Sequence, residues 1–192
     1  MPARPSAGRD LIGPGLGGLV ALYLPTVTVG PTWMDHALVD LGAPTVPWAS
    51  VGYLLTAALT APVGAVLGRR HPNSMAAASA GLMIVGSSLS LLVPSYTLLL
   101  AGQTLSGLGA GALVATAVVL ALRVGGGRAQ TIGLTAGLGT FAAVLGPVLG
   151  GVLTTTIGWR MVFLISLPPL ILTLLACLAG GIITVTDRPA NQ

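Results

Sequence analysis

Six stretches free of charged side chains divide this chain, and they constrain its fold more than any motif does. They run Leu11–Met34, Trp48–Leu67, Ser74–Val93, Tyr96–Leu122, Ala129–Thr155 and Met161–Val185, and all twelve charged residues fall between or outside them. Each reaches the roughly 20 residues a helix needs to cross a ~30 Å hydrocarbon core. Backbone amides inside that core must be satisfied within their own segment, so helix is the form each stretch predicts. Charged residues make up 6% of the chain and mean hydropathy is +0.94, whereas a soluble domain carries about a quarter charged residues. The expectation is an all-α membrane protein with six transmembrane helices in the lipid bilayer.

Orientation follows from arginine, since all eight basic residues are Arg. With both termini cytoplasmic, Arg4, Arg9, Arg69, Arg70, Arg123, Arg128 and Arg188 lie inside and Arg160 alone lies outside. The positive-inside rule selects that topology. It implies a multi-pass protein of the plasma membrane, the cell's inner membrane, with cytoplasmic tails over residues 1–10 and 186–192. Trp33, Trp48, Tyr96 and Trp159 then fall at the outer interface, as an aromatic belt. The apolar run after the N-terminal tail is too long for a signal peptide and lacks a clear cleavage pattern. The pI near 10.2 comes without a basic cluster beyond Arg69-Arg70, so nucleic acid is not an expected partner. These two arginines most simply meet anionic lipid headgroups.

Prolines inside two of the stretches carry the next inference. Gly146-Pro147 and Gly150-Gly151 interrupt the fifth, and Pro62 with Gly64 interrupts the second. Proline removes a backbone donor and clashes one turn back, a defect that neighbouring membrane helices can absorb. Gly146 and Gly150 lie four apart, which lets another backbone approach closely. The strings APVGAVL at 61–67 and GPVLGGVL at 146–153 are similar, and their prolines are 85 residues apart. The second stretch runs inward and the fifth outward, as two inverted three-helix repeats over 11–93 and 94–185 require.

Gly146-Pro147-x-x-Gly150-Gly151, followed by Gly158-Trp159-Arg160, Phe163 and Pro168, resembles the fifth-helix region of the major facilitator superfamily. The nearest likeness is to its fourteen-helix drug/proton antiporter branch. Trp48, Tyr53-Leu54-Leu55, Pro62 and Gly64 are similar to that branch's second helix, Arg69 to the basic residue of the following loop, and Leu99, Gln103, Gly107 and Gly109 to its fourth helix. Arg128-Ala129 resembles the start of its fifth. The resemblance covers about residues 11 to 185 and implies the N-terminal six-helix half of a transporter. The departures concern charge. Gly68 stands where the family's loop has Asp, Gln103 where its fourth helix has Arg, and Pro25 where the branch has an intramembrane acid.

Within the stretches, Gln103 is costly in lipid and should face the bundle interior. It either lines a pathway or makes a helix–helix hydrogen bond. Thr26, Thr28, Thr56, Thr131 and Thr135 could line a substrate cleft, although a threonine in a helix more often bonds its own backbone. Met75, Met83 and Met161 read as packing or lipid-facing residues. His36 and His71 fall in loops without a second ligand at helical spacing, so no metal site is expected. Cys177, the lone cysteine, reads as a small apolar helix residue. No catalytic group with a partner base sits at helix depth, and Gly125-Gly126-Gly127 lacks the Lys-Ser/Thr of a phosphate-binding loop. No enzyme activity and no cofactor follow. The superfamily places substrate between two six-helix halves, so a dimer of this chain, or a complementary half, would complete a small-molecule exporter working by alternating access. The other reading is a membrane accessory subunit, or a truncated relic without transport of its own.

The topology has a direct check. Single cysteines at Ser95 and Asn73 should react with impermeant reagent from opposite sides of intact cells, Ser95 from outside. Reaction of both from one side would end the six-helix topology.

Overall fold

Prolines and glycines set the helix boundaries. The structure, a computed structural model, describes residues 12–28, 31–42, 48–92, 94–123 and 148–186, with side chains described over 14–23, 34–42, 48–92, 94–123 and 148–180. Six helices are α1 (Ile12–Thr28), α2 (Pro31–Asp40), α3 (Trp48–Arg70), α4 (Pro72–Leu91), α5 (Tyr96–Arg123) and α7 (Trp159–Thr186). Between the last two lies α6 (Val148–Ile157). Pro31 and Pro72 open α2 and α4, positions where the missing amide hydrogen would have had no helical partner. Gly42, at φ 58°, closes α2, and Gly158, at φ 95°, divides α6 from α7. Any other L-residue would be strained in that left-handed region. The described residues contain no strand.

Helices α3, α4, α5 and α7 are long and apolar enough to cross a membrane, and each coincides with an expected span to within a few residues. The first expected span is not one helix. It divides into the 17-residue α1 and the 10-residue α2, because Pro31 begins a new helix where the apolar pattern alone would have continued the old one. His36, expected in a loop, therefore lies on α2. Of the fifth span, only the part from Val148 onward, within α6, falls in the described residues.

Helix α5 is the hub, packing on α1, α3 and α4, while α7 closes the bundle against α1 and α4. Helices α3 and α5 run parallel: Gly52 meets Thr104, Ala57 meets Gly111, and Gly68 meets Thr116. Helix α4 runs antiparallel to α5, with Gly86 against Gly102 and Ser106, and Ser79 against Gly109. At one end Met34, Ala49, Leu99, Trp159 and Phe163 form a core cluster with Leu91 packed on it. A second cluster, deeper in the bundle, joins Tyr53, Met83, Leu113, Leu170 and Cys177. Met83 thus packs inside, while Met161 is exposed.

Backbone proximity is what lets α3 and α5 pack. A Cβ at Gly111 would collide with the Ala57 carbonyl, one at Gly107 with the Tyr53 carbonyl, and one at Gly64 with the Ala112 backbone. Membrane helices lacking a hydrophobic driving force gain most from such close packing. Two hydroxyls then bond across the seam. Thr56 donates to the Thr104 carbonyl at 3.1 Å, and Thr116 donates to the Gly64 carbonyl at 3.2 Å.

Gly111→Ala should therefore destabilise the purified protein by about 1–3 kcal/mol, the usual cost of overpacking. At Gly81, on α4, an added Cβ would meet nothing within 4 Å. Gly81→Ala should stay within about 1 kcal/mol of the parent. Thermal unfolding in detergent checks both, and equal stability of the two variants would refute the close seam.

Candidate functional site

A cleft of about 730 Å³ opens between α1, α3 and α5. Helix α3 supplies Tyr53, Leu54, Ala57, Ala58, Ala61, Pro62 and Ala65. Ala21 and Leu22 come from α1, and Ala110, Gly111, Val114, Ala115, Val118 and Val119 from α5. Eight of these fifteen positions are alanine or glycine. Alanines at helical spacing bring the backbones together yet leave the volume that larger side chains would fill. None of the described lining residues is charged. The site can therefore take an apolar molecule by shape, without a fixed charge to select one.

Of the expected site residues, Pro62 lines this cleft. Gly64 and Arg69 belong to the α3–α5 seam instead: Gly64 abuts Ala112, and the Arg69 carbonyl accepts from Arg123 Nη1 at 2.7 Å. Gln103 is 1% exposed and is not among the cleft-lining residues. Its Oε1, the Tyr53 hydroxyl and Ser79 Oγ have no hydrogen-bond partner among the described residues. Thr56 bonds its own helix, at the Gly52 and Tyr53 carbonyls, besides crossing to α5. Thr26 and Thr28 lie on α1, with side chains outside the described residues. Thr131, Thr135, Gly146 and Pro147 lie outside them altogether. Gly150 is buried and accepts from Thr154 Oγ1 at 2.7 Å. Gly151 accepts from Thr155.

Trp159 and Arg160 meet a partner that no sequence pattern pointed to. Trp159 Nε1 donates to Asp40 Oδ2 at 3.3 Å, and Arg160 Nη2 approaches the same oxygen at 3.5 Å. The guanidinium lies 5.0 Å from the centre of the Trp159 ring. That ring also packs edge-on against Phe163, with centroids 6.4 Å apart. Trp159 is thus 7% exposed, packed within the chain because α2 folds over it. Asp35, His36, Val39, Asp40 and Trp159 line an open recess of about 490 Å³ beside this contact. The arrangement fastens α2 to the start of α7.

Comparison with known proteins gives this geometry its family. The sequence pattern that describes the Major Facilitator Superfamily matches residues 15–191. An acurin A biosynthesis cluster MFS-type transporter of Aspergillus aculeatus is 32% identical over 157 residues, covering 78% of this chain and 26% of that protein. The lincomycin resistance protein of Bacillus subtilis is 30% identical over 171 residues, 83% of this chain and 34% of its own. The methylenomycin A resistance protein of Bacillus subtilis is 31% identical over 158 residues, 80% of this chain and 34% of its own. The match to this chain thus spans between a quarter and about a third of these relatives' lengths. With the family pattern running over nearly all of the chain, and with its apolar helices built for a bilayer, this multi-pass membrane protein belongs to the Major Facilitator Superfamily.

Proposed function

We propose that residues 11–185 form one six-helix half of a small-molecule exporter, built from inverted repeats over 11–93 and 94–185. The observation that carries this reading is the cleft between α1, α3 and α5, whose described lining residues carry no charge, in a family whose similar members are named for drug resistance and efflux. A rigid α3–α5 pair gives the cleft one fixed wall, as rocking between two halves requires. The partner is a complementary half or a second copy of this chain, and two-fold closure is the commonest way for identical subunits to assemble. Both termini lie in the cytoplasm and the protein in the plasma membrane, a reading that the arginine distribution supports. Its substrate is a small apolar or amphipathic molecule, admitted by shape. Gln103, Thr26, Thr28 and Thr135 supply polar contacts as the cleft changes shape. This is a transport role, with no chemistry on the substrate, and it uses no cofactor, metal or nucleic acid.

Energy coupling is the point at which this chain differs from a proton antiporter. A coupling group must gain and lose a proton within the pathway, which Asp, Glu or His at helix depth would do. The four Asp are at 10, 35, 40 and 187, and the two His at 36 and 71. None lies in the five stretches from Trp48 onward or in α1. Glutamine and threonine do not titrate near neutral pH. Asp40 is engaged by Trp159 and Arg160, so it is not a ready substitute.

The purified chain in liposomes should move a lipophilic dye down its concentration gradient, and Ala61→Trp, which fills the cleft, should reduce that flux about tenfold or more. An imposed pH gradient should give no uphill accumulation. Gently solubilised particles should have twice the mass of the chain. Flux equal to protein-free liposomes, from a strictly monomeric particle, would replace this reading with that of an accessory subunit. Gradient-driven accumulation by this chain alone would overturn the claim about coupling, and Asp35→Asn and Asp40→Asn would then locate the acid.

A further inference from the structure

We infer that Arg69, Arg70 and Arg123 together form a binding site for the phosphate of an anionic lipid headgroup. Arg69 and Arg70 occupy the last turn of α3, and Arg123 the last turn of α5. Because the two helices run parallel, all three arginines sit at one end of the bundle. Arg123 is oriented by the protein itself, since its Nη1 donates to the Arg69 carbonyl at 2.7 Å. That bond uses one of the five N–H donors of the guanidinium. The remaining donors, with those of Arg69 and Arg70, are exposed to the surroundings.

Electrostatics favours an anion there. The C-terminus of a helix carries about half a negative charge, so two helix ends alone would repel phosphate. Three arginines outweigh them, and Arg123 masks one terminal carbonyl of α3. Among the described residues no carboxylate pairs with any of the three; the described ion pair, Arg160 with Asp40, lies at the opposite end. Gly68 precedes Arg69, and a side chain there would press on Thr116. The packing of the seam therefore bars an acid from the adjoining position. Three like charges at neighbouring helix ends attract a counter-ion.

Depth identifies that counter-ion as lipid. The charge-free stretches end at Leu67 and Leu122, and the arginines begin within two residues of each. Helices that span the hydrocarbon core put their flanking residues level with the headgroups. A lipid phosphate is held at that level by the bilayer, whereas a free phosphate must be captured from solution. Arginine matches phosphate with paired, parallel hydrogen bonds. What the site adds to a general attraction for acidic membranes is a fixed geometry, set by the bond between Arg123 and Arg69.

Native mass spectrometry of the full chain in neutral detergent tests this, with phosphatidylglycerol and phosphatidylcholine titrated separately. Phosphatidylglycerol should bind about tenfold tighter or more, and the triple variant Arg69→Gln/Arg70→Gln/Arg123→Gln should lose that preference. If the triple variant fails to fold, Arg69→Gln/Arg70→Gln keeps the bond from Arg123 to the main-chain carbonyl and should still lose most of the preference. Arg123→Lys, which keeps the charge but loses the paired geometry, should weaken binding severalfold. No preference in the parent chain, or one that survives the arginine changes, would overturn the site. Displacement of the lipid by millimolar inorganic phosphate would overturn it as a lipid site.

Discussion

The contact that the rest of this bundle depends on is the glycine-lined seam between α3 and α5. In water two such helices would be driven together by burying apolar surface, but lipid is as apolar as they are. What remains is dispersion, which falls steeply with any gap, and hydrogen bonds that cross between helices. The glycines at 64, 107 and 111 bring the backbones close enough for both. Hydroxyl groups at 56 and 116 then reach the neighbouring carbonyls. At the end of the seam the Arg123 guanidinium ties the two helices again. Parallel direction, close spacing and three points of attachment join α3 and α5 more extensively than any other described pair of helices.

The other features follow from that pair. Helix α4 crosses α5 through small residues of its own, Ser79, Gly86 and Ser90, and α7 lies on α4 and α1. Helix α1 touches α5 where Gly17 and Gly18 face Leu113 and Ala117, and the opening it leaves beside α3 is the cleft. The cleft is apolar for the same reason that the seam is tight. Both are rich in alanine and glycine, and Ala57 and Gly111 belong to both. A single larger residue would therefore separate the helices in one place and close the cleft in the other.

The sequence makes four spanning helices legible because charge and apolar length mark them without reference to packing. Arg70 and Arg123 end two helices where the apolar stretches end, and Trp48 and Tyr96 begin two at the first residues of their stretches. Gly107 and Gly111, four apart, carry a visible signal of close approach. What stays hidden are relations across the chain. Asp40 lies 119 residues from Trp159 and 120 from Arg160, and no local pattern links them. The same contact explains the departure from expectation at this end. Periodicity sees α2 as a continuation of the first span, and an interfacial tryptophan looks the same in sequence whether or not a helix covers it. Gln103 is legible as buried but not as lacking a partner, since satisfaction of a polar atom depends on its neighbours' geometry.

That unpaired oxygen bears on how the core holds together. Leaving a buried polar atom without a partner costs about 1–3 kcal/mol, and among the described residues Gln103, Tyr53 and Ser79 each have one such atom. They come from the three helices α5, α3 and α4, so the cost falls on the hub and the two helices packed most closely on it. Elsewhere the bundle satisfies its hydroxyls locally, as Ser90 does at the Gly86 carbonyl, Ser166 at Phe163 and Thr173 at Pro169. Short side chains can turn back onto their own helix, and only the long or rigid ones, glutamine and tyrosine, are too extended to do so. Ser79 is the exception among the short ones. It lies where α4 and α5 approach closely, its carbonyl against Gly109. The geometry that gives the helices their attraction thus also limits which polar atoms find partners among the described residues.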